Sequence, residues 1–259
     1  MFARLASVAV VALLSLSPPQ SQSDEITALR REIQTLKAQQ ALMQRDLDTI
    51  KSLLQSLAQG RGQAEDFADK SIYLNDAPTK GNASAKVTLV EVSDYHCPFC
   101  RRQNLQTMPQ LMADYVNTGK VKYVFVDYPI AQLHPDAFLS HEAAACAGDQ
   151  GKYWQMHDLL FTNSPAREVS QLSANAGMLG VDTKKFEECL NSGKGSKHAP
   201  AIRQSITRMQ QLGVEGTPLV LIGLTPPPGA PMKVVSFVYG AKPYPEFKAA
   251  LETALAQAR

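Results

Sequence analysis

Two cysteines lie three residues apart in the segment Tyr95-His96-Cys97-Pro98-Phe99-Cys100. Two thiols at this spacing can alternate between a dithiol and a disulfide, because the second thiol can attack a mixed disulfide formed on the first. They can also hold a soft metal ion such as Cu(I), but two sulfurs alone do not complete a tetrahedral site. The pair therefore predicts a redox centre, and a copper site that also uses His96 is the alternative.

The surrounding sequence places Cys97 at the start of a helix. An apolar run from Val87 to Ser93 is typical of a strand, and a helical pattern follows from about Cys100 to Asn117. At this junction the sulfur of Cys97 faces unpaired backbone N–H groups and the positive end of the helix dipole, and both lower the pKa of a thiol. Pro98 suits the first helical turn, where no N–H donor is needed. We therefore expect Cys97 to be the nucleophile and Cys100 to resolve the mixed disulfide.

Three neighbours of the sulfurs, His96, Pro98 and Phe99, are predicted to tune the redox potential. Phe99 offers the thiolate no hydrogen-bond donor, so we expect an oxidising pair that is weaker than the strongest oxidants. His96 has two interpretations, as a catalytic residue or as an ordinary polar residue at the end of a strand.

The remainder of the chain from residue 71 predicts an α/β fold. Further strands are expected at Lys122–Pro129, Leu219–Gly223 and Val234–Tyr239, and a last helix at about Tyr244–Gln257. A mostly helical region, about residues 135–212, separates the strand-helix-strand unit from the last two strands. The Pro-rich segment between those two strands predicts an antiparallel hairpin.

The first 23 residues predict a secretory signal peptide. A positive region with Arg4 precedes an apolar run from Leu5 to Leu16, and Ser21-Gln22-Ser23 offers a small-x-small cleavage site. We therefore expect export to the periplasm; a short buried helix is the alternative. A formal net charge of +2 without a large basic cluster argues against nucleic acid as a partner.

Residues 24–59 show the composition and the repeat of a coiled coil, without Gly, Pro, Cys or aromatic residues. Nine of the ten heptad seam positions are apolar, with Gln40 as the polar one: Ile26, Leu29, Ile33, Leu36, Met43, Leu47, Ile50, Leu54 and Leu57. In a parallel assembly Glu32 would face Lys37, and Asp46 would face Lys51. This pattern predicts a parallel homo-oligomer, either dimer or trimer; a helix packed on its own domain is the alternative. Two glycines then begin a predicted linker over residues 60–70.

From residue 71 to the end, the chain resembles the DsbA-like family of exported thiol-disulfide oxidoreductases. The resemblance rests on Asp94-Tyr95-His96-Cys97-Pro98-Phe99-Cys100, on Gly216-Thr217-Pro218 and on the helical insertion between them. It implies a thioredoxin fold with an inserted helical subdomain, and no cofactor. With the heptad stalk, the chain is most similar to the suppressor-of-copper-sensitivity protein C (ScsC) branch, whose members include oligomeric disulfide isomerases.

The resemblance also assigns site residues and partners. It implies a cis bond before Pro218, which leaves the backbone of Thr217 free to pair with an extended substrate. It places Glu91 under the active site, where a carboxylate with a pKa raised by burial takes the proton of the second thiol; a solvent-facing edge position is the alternative. The implied partners are unfolded or mis-disulfided exported proteins and a membrane thiol-disulfide reductase or oxidase that resets the dithiol.

Two further cysteines, Cys146 and Cys189, lie in the helical region, and neither has a second thiol or histidine at ligand spacing. In an oxidising compartment we expect them to form a structural disulfide, worth roughly 4 kcal/mol in the chain-entropy model for a loop of about 43 residues. Two free buried thiols are the alternative. His157 is predicted to be a packing or surface residue rather than a metal ligand.

Several active sites around one axis would suit disulfide isomerisation, because one misfolded protein could be engaged at more than one point. The sequence therefore favours an isomerase over a simple dithiol oxidase. A non-catalytic coiled-coil assembly or chaperone, in which the two close cysteines form an inert bridge, is a further alternative.

Overall fold

The computed structural model describes residues 20–61, 66–74, 77–163, 165–166, 168–190 and 195–258. Two compact units divide after residue 63. The predicted signal peptide lies outside the described residues except for positions 20–23, and so do positions 62–65 of the predicted linker. Among the described residues, the structure has no helix whose length and apolarity would let it cross a bilayer.

The first unit contains one long helix, α1, which spans Gln20–Arg61. The heptad segment is helical, as predicted. Six of its apolar seam residues are 49% to 63% exposed: Ile26, Leu29, Ile33, Leu36, Met43 and Leu47. Whether this stripe forms a coiled coil stays a prediction.

The second unit is built on a six-stranded sheet with the order β1-β6-β5-β3-β4-β2. Its strands are β1 (Ser71–Ile72), β2 (Thr79–Lys80), β3 (Val87–Ser93), β4 (Val121–Asp127), β5 (Leu219–Leu224) and β6 (Met232–Tyr239). Strands β3 and β4 are parallel, and the other pairs are antiparallel. The predicted strand-helix-strand unit and the terminal hairpin are therefore both present.

Eight helices accompany the sheet within the described residues. They are α2 (Pro98–Gln106), α3 (Met108–Leu111, continued by a π-helical turn at Met112–Val116), α4 (Ala137–Gly148), α5 (Tyr153–Thr162), α6 (Val169–Met178), α7 (Thr183–Leu190), α8 (Ala199–Leu212) and α9 (Tyr244–Gln257). Helices α4 to α8 form the insertion between the two halves of the thioredoxin fold. The predicted helical region and terminal helix are confirmed.

Strand β3 lies in the centre of the sheet, and all seven of its residues are buried. Alternate side chains enter two cores. Val87 and Leu89 face the core that contains Cys97, Cys100 and much of the insertion, whereas Val90 and Val92 face a second core. The continuous apolar run of β3 follows from this coverage on both faces.

Three features differ from the sequence prediction. The helix expected from Cys100 to Asn117 breaks at Thr107, because Pro109 has no N–H and its ring clashes with a helix that continues through it. Strands β1 and β2 are only two residues long and were too short to show a pattern. The globular unit also begins earlier than expected, because Phe67, inside the predicted linker, is fully buried in the second core.

Candidate active site

Cys97 occupies the N-terminal cap of α2, directly after the loop that leaves β3. Its backbone is extended, with φ −73° and ψ 121°, and Pro98 follows in the first helical turn. The carbonyl of Cys97 accepts the N–H of Arg101 at 3.0 Å, so the helical hydrogen bonds begin at this residue. The sulfur therefore lies beside the backbone N–H groups of Phe99 and Cys100, as the sequence predicted.

The two neighbouring thiols differ in acidity. Hydrogen bonding from the Cys100 thiol lowers the pKa of Cys97 to about 6; Thr217 and the backbone N–H groups of the helix add to this effect, and burial opposes it. Cys100 is fully buried, and burial together with the nearby Cys97 raises the pKa of its thiol well above the ordinary value. At neutral pH the reduced pair therefore holds a thiolate at Cys97 and a protonated thiol at Cys100.

The Thr217–Pro218 peptide bond is cis, as the resemblance implies. Pro218 directly precedes β5, so the sheet brings this loop to the start of α2. When protonated, the Cys97 thiol donates to the carbonyl oxygen of Thr217 at 3.5 Å. A substrate strand that pairs with the Thr217 backbone would therefore pass the reactive sulfur.

Asp94 shapes the loop between β3 and α2, and the sequence analysis did not assign it a role. Its buried carboxylate accepts the N–H of His96 at 2.8 Å and the N–H of Ile130 at 2.9 Å, and it lies 2.9 Å from Nδ1 of His134. These contacts fix the loop to the segment that follows β4. An aspartate two residues before a histidine at a strand end was the available signal, because such side chains often bond the backbone two residues on.

His96 turns toward the helical insertion. Its Nε2 lies 2.9 Å from the hydroxyl of Ser140 on α4, and burial lowers the pKa of its imidazole. Phe99 is 54% exposed, with the guanidinium of Arg102 5.3 Å from the ring centre. Phe99 therefore offers an apolar contact on the surface beside Cys97, whereas His96 joins the loop to the insertion.

Glu91 is fully buried in the central strand, so the edge position considered from the sequence is wrong. Its Oε2 accepts the hydroxyl of Tyr123 at 2.9 Å. Burial raises the pKa of Glu91, and the charge of His157, the hydrogen bond from Tyr123 and the nearby polar groups of Ser93 and Gln103 oppose the rise. The carboxyl lies on the same face of β3 as the core that contains Cys100. A buried acid with a raised pKa holds a proton at a higher pH than an exposed carboxyl and can still pass it on, which suits it to proton transfer.

The structure joins Cys146 of α4 and Cys189 of α7 in a disulfide, as predicted, with Cα atoms 6.0 Å apart. His198 lies next to it, and candidate ligand atoms of these three residues lie within 4.8 Å of one another. Both sulfurs are consumed by the disulfide, so this cluster offers no thiolate ligands in the oxidised chain. In the rest of the described chain no three candidate metal ligands lie this close together. Cys97, Cys100 and His96 therefore do not form such a group.

Ser93, Gln103 and His157 are site neighbours that the sequence analysis either omitted or treated as packing residues. Ser93 follows Glu91 by two residues and therefore shares its face of the strand. Gln103 follows Cys100 by three residues and shares its face of α2. His157 is buried among aromatic rings, so the packing prediction for it holds, but only the fold could show that Glu91 is near.

A family model described as thioredoxin matches residues 74–225, which is more than half of the chain. This chain belongs to the thioredoxin family. The match begins in the segment before β2 and ends just after β5, so it includes both cysteines of the Cys97–Cys100 pair, the insertion and the cis-proline loop.

Curated relatives also match a large part of this chain. The Na⁺/H⁺ antiporter NhaA 1 of Salinispora arenicola is 33% identical over 143 residues, which cover 55% of this chain and 21% of the antiporter. This chain thus spans about a fifth of the first such relatives. Disulfide bond formation protein D of Bacillus subtilis is 25% identical over 165 residues, which cover 62% of this chain and 73% of that protein.

The fold is also similar to solved structures. The crystal structure of α-DsbA1 from Wolbachia pipientis aligns with a TM-score of 0.62 and 18% identity, covering 72% of this chain and 94% of that one. This likeness confirms the predicted thioredoxin-like fold with a helical insertion. The ScsC branch and the coiled coil stay predictions.

Proposed function

We propose that this chain is an exported, periplasmic thiol-disulfide oxidoreductase that works through Cys97 and Cys100. The observation that carries the proposal is the contrast within one helical turn: Cys97 has a pKa of about 6 and Cys100 a strongly raised one. The cis-proline loop beside Cys97 and the relatives named for disulfide bond formation support it. The Cys146–Cys189 disulfide supports an oxidising compartment.

The chemistry follows from the two acidities. The Cys97 thiolate attacks a substrate disulfide, forms a mixed disulfide and releases one substrate sulfur as a thiolate. In isomerisation a second substrate thiol attacks the mixed disulfide and regenerates the Cys97 thiolate. In reduction Cys100 loses its proton and attacks Cys97, which releases the second substrate thiolate and leaves the Cys97–Cys100 disulfide. After this reduction a membrane thiol-disulfide reductase returns the pair to the dithiol. When the chain instead donates its disulfide to a substrate, a membrane oxidase re-forms the Cys97–Cys100 disulfide.

We propose further that α1 assembles the chain into a parallel homo-oligomer and that this assembly makes the protein an isomerase of the ScsC branch. The exposed apolar seam of α1 supports the oligomer, as do the opposite charges at facing flank positions, such as Glu32 and Lys37. Several active sites around one axis raise the effective concentration of thiolate at a bound misfolded substrate. Mis-disulfided exported proteins are the proposed substrates.

The test compares seam and outer-face variants of the full chain. Leu36→Lys with Met43→Lys places two charges in the seam, whereas Gln34→Lys with Ala41→Lys places the same charges on the outer face of the helix. We expect the seam variant to be monomeric by light scattering and to lose reactivation of a scrambled-disulfide substrate. The outer-face variant keeps both properties, and both variants still reduce a model disulfide.

The results separate the levels of the proposal. Failure of the wild type to exchange disulfides at Cys97 would reject the oxidoreductase. A monomeric seam variant that still reactivates scrambled substrate rejects the role of the oligomer. If the wild type oxidises thiols but does not reactivate scrambled substrate, the protein is a dithiol oxidase. The low pKa of Cys97 favours that second candidate, because a stabilised thiolate makes the disulfide form a stronger oxidant.

A further inference from the structure

Buried polar groups continue from Cys100 into the core below α2. Ser93 is fully buried, and its hydroxyl lowers the pKa of both Cys100 and Glu91, for each of which burial is the larger, opposing cause. The Ser93 oxygen has no partner within hydrogen-bond distance among the described residues. A hydroxyl in this position can rotate to donate to either neighbour while it accepts from the other.

A second connection leads from Glu91 toward the surface. One carboxylate oxygen of Glu91 accepts the Tyr123 hydroxyl, and the other, Oε1, has no partner among the described residues. His157 is the titratable group whose charge acts most strongly on Glu91. The Nε2 atom of His157 is likewise buried and has no partner in the described part of the chain. Buried polar atoms are rarely left unpaired. We therefore expect Oε1 of Glu91 and Nε2 of His157 to interact, directly or through a water molecule.

The outer end of this series reaches solvent. Nδ1 of His157 lies 2.9 Å from a carboxylate oxygen of Asp158, whose side chain is 63% exposed. A carboxylate partner holds the hydrogen of the neutral imidazole on Nδ1 and leaves Nε2 as an acceptor. His157 therefore presents a proton acceptor to the core and a proton donor to the surface.

We propose that Ser93 and His157 extend the proton-accepting role predicted for Glu91 into a route from the buried Cys100 thiol to solvent at Asp158. The inference rests on the proposed oxidoreductase function and extends it to positioning residues. As Cys100 attacks the mixed disulfide, its proton passes to the Ser93 oxygen while the Ser93 proton passes to Glu91. Glu91 then protonates Nε2 of His157, and the Nδ1 proton leaves through Asp158. The electron pair of Cys100 forms the new S–S bond, and the substrate sulfur leaves as a thiolate.

Other titratable and charged groups surround His157 in the described part of the chain. Glu91 approaches it from the sheet, and the rings of Tyr95 and Tyr153 lie 5.7 Å and 6.4 Å from its ring. Helix α2 contributes Arg101, whose guanidinium donates to the backbone carbonyl of Thr162 at the end of α5, and α6 contains no titratable residue within its bounds. Two more titratable groups pack together nearby. Nδ1 of His141 on α4 lies 2.5 Å from a carboxylate oxygen of Asp127 at the end of β4.

His157→Gln in the full chain tests the route, with His141→Gln as the matched control. His141 is also a buried histidine with a carboxylate at Nδ1 and an unpartnered Nε2 within the described residues. Release of substrate thiol from a mixed disulfide on Cys97 is followed between pH 5.5 and 9 by stopped flow. We expect His157→Gln to slow release about tenfold near pH 6 and hardly at all near pH 9, where hydroxide removes the proton. His141→Gln leaves the pH profile unchanged.

Ser93 provides a second test that leaves His157 in place. Ser93→Ala removes the hydroxyl and is expected to slow release near pH 6 to a similar extent, whereas Ser93→Thr keeps a hydroxyl and restores the profile. Equal slowing at all pH values, or slowing of mixed-disulfide formation in a Cys100→Ala background, would assign a structural role and overturn the route. An unaltered release step in both His157→Gln and Ser93→Ala rejects it as well.

The failure of the route and the failure of the proposed function are distinguishable. If the wild type forms no mixed disulfide on Cys97, both the proposed oxidoreductase function and the proton route are rejected. If mixed disulfides form normally and only the predicted pH dependence is missing, the oxidoreductase stands without the route. Asp158→Asn supplies a surface variant that does not alter the core, with an expected slowing of about threefold near pH 6.

Discussion

The two cysteine pairs of this chain differ in their chemical state and in their surroundings. Cys97 and Cys100 lie within one helical turn, and both are free thiols whose pKa values are shifted in opposite directions. Cys146 and Cys189 lie 43 residues apart on two helices and are joined in a disulfide. The first pair has a helix N-terminus and a cis-proline loop beside it, whereas the second closes a long loop. The surroundings of a cysteine, rather than its mere presence, therefore decide whether it reacts or holds the fold.

The largest expected difference between the pairs is in exchange chemistry. Cys97→Ser should slow reduction of a model disulfide by roughly a thousandfold or more, because the attacking thiolate is lost. The double variant Cys146→Ala with Cys189→Ala should retain the wild-type rate within about twofold. The measurement is the steady-state rate at equal protein concentration. A comparable loss of rate in the double variant would show that Cys146 and Cys189 also take part in the exchange reaction.

The two pairs should also contribute differently to the free energy of unfolding, with the larger contribution from Cys146 and Cys189. Removal of both Cys146 and Cys189 is expected to lower the free energy of unfolding by about 4 kcal/mol in the chain-entropy model, since the disulfide closes a long loop. Replacement of Cys97 and Cys100 by Ala removes a loop of a few residues and should cost less than about 2 kcal/mol. Urea unfolding of both double variants under oxidising conditions checks this order. Equal losses would show that the stabilising role is not confined to the second pair.

The acidity of Cys97 gives a pH dependence that sharpens the comparison. Because its pKa is about 6, alkylation of the reduced protein should reach half its maximal rate near pH 6 and fall about tenfold per pH unit below that value. The folded pKa lies below that of an unfolded cysteine. The thiolate therefore stabilises the reduced fold above pH 8 to 9, and this contribution disappears as the pH falls through about 6.

Cys100→Ala is the matched variant for this measurement, because it removes the hydrogen bond that is the main cause of the low pKa. The midpoint of Cys97 alkylation should move to higher pH. A midpoint that stays near pH 6 would assign the acidity to the helix backbone and Thr217 instead. Rates are measured with iodoacetamide and mass spectrometry of the Cys97 peptide.

The smallest expected effect concerns the carboxylates that precede each pair. Burial raises the folded pKa of Glu91, so the protonated form favours the fold at low pH and that advantage is lost as the pH rises through the folded pKa. Glu91→Gln should therefore raise the free energy of unfolding by about 1 kcal/mol at pH 8 and change it little at pH 4. Thermal unfolding at both pH values measures the difference.

Glu142 on α4, four residues before Cys146, is the control for this prediction. Its Oε1 accepts the N–H of Ser196 at 2.6 Å, so Glu142→Gln loses a charge-assisted hydrogen bond and should not stabilise the protein at pH 8. Stabilisation by both substitutions would show that the effect is not specific to the carboxyl beneath Cys97.

Much of the fold was accessible from local sequence. The apolar run of β3, the proline-rich hairpin and the bounds of α9 each reflect a pattern within one short segment. The break at Pro109 was also accessible in principle, because the restriction that proline imposes is local. The two-residue strands and the burial of Phe67 were not, because they depend on contacts with β4, β6 and the second core.

The sequence by itself determined where the two sulfurs of the close pair lie. The Cys-x-x-Cys spacing and Pro98 place one sulfur at a helix start and the other one turn later, and these are properties of neighbouring residues. Only the tertiary structure decided which groups surround the sulfurs. Thr217 reaches Cys97, and Ser93, Glu91 and His157 come together below Cys100, because β3, β5 and α5 pack around one core. Burial and charge depend on everything that is near in space, so no local pattern could place these groups.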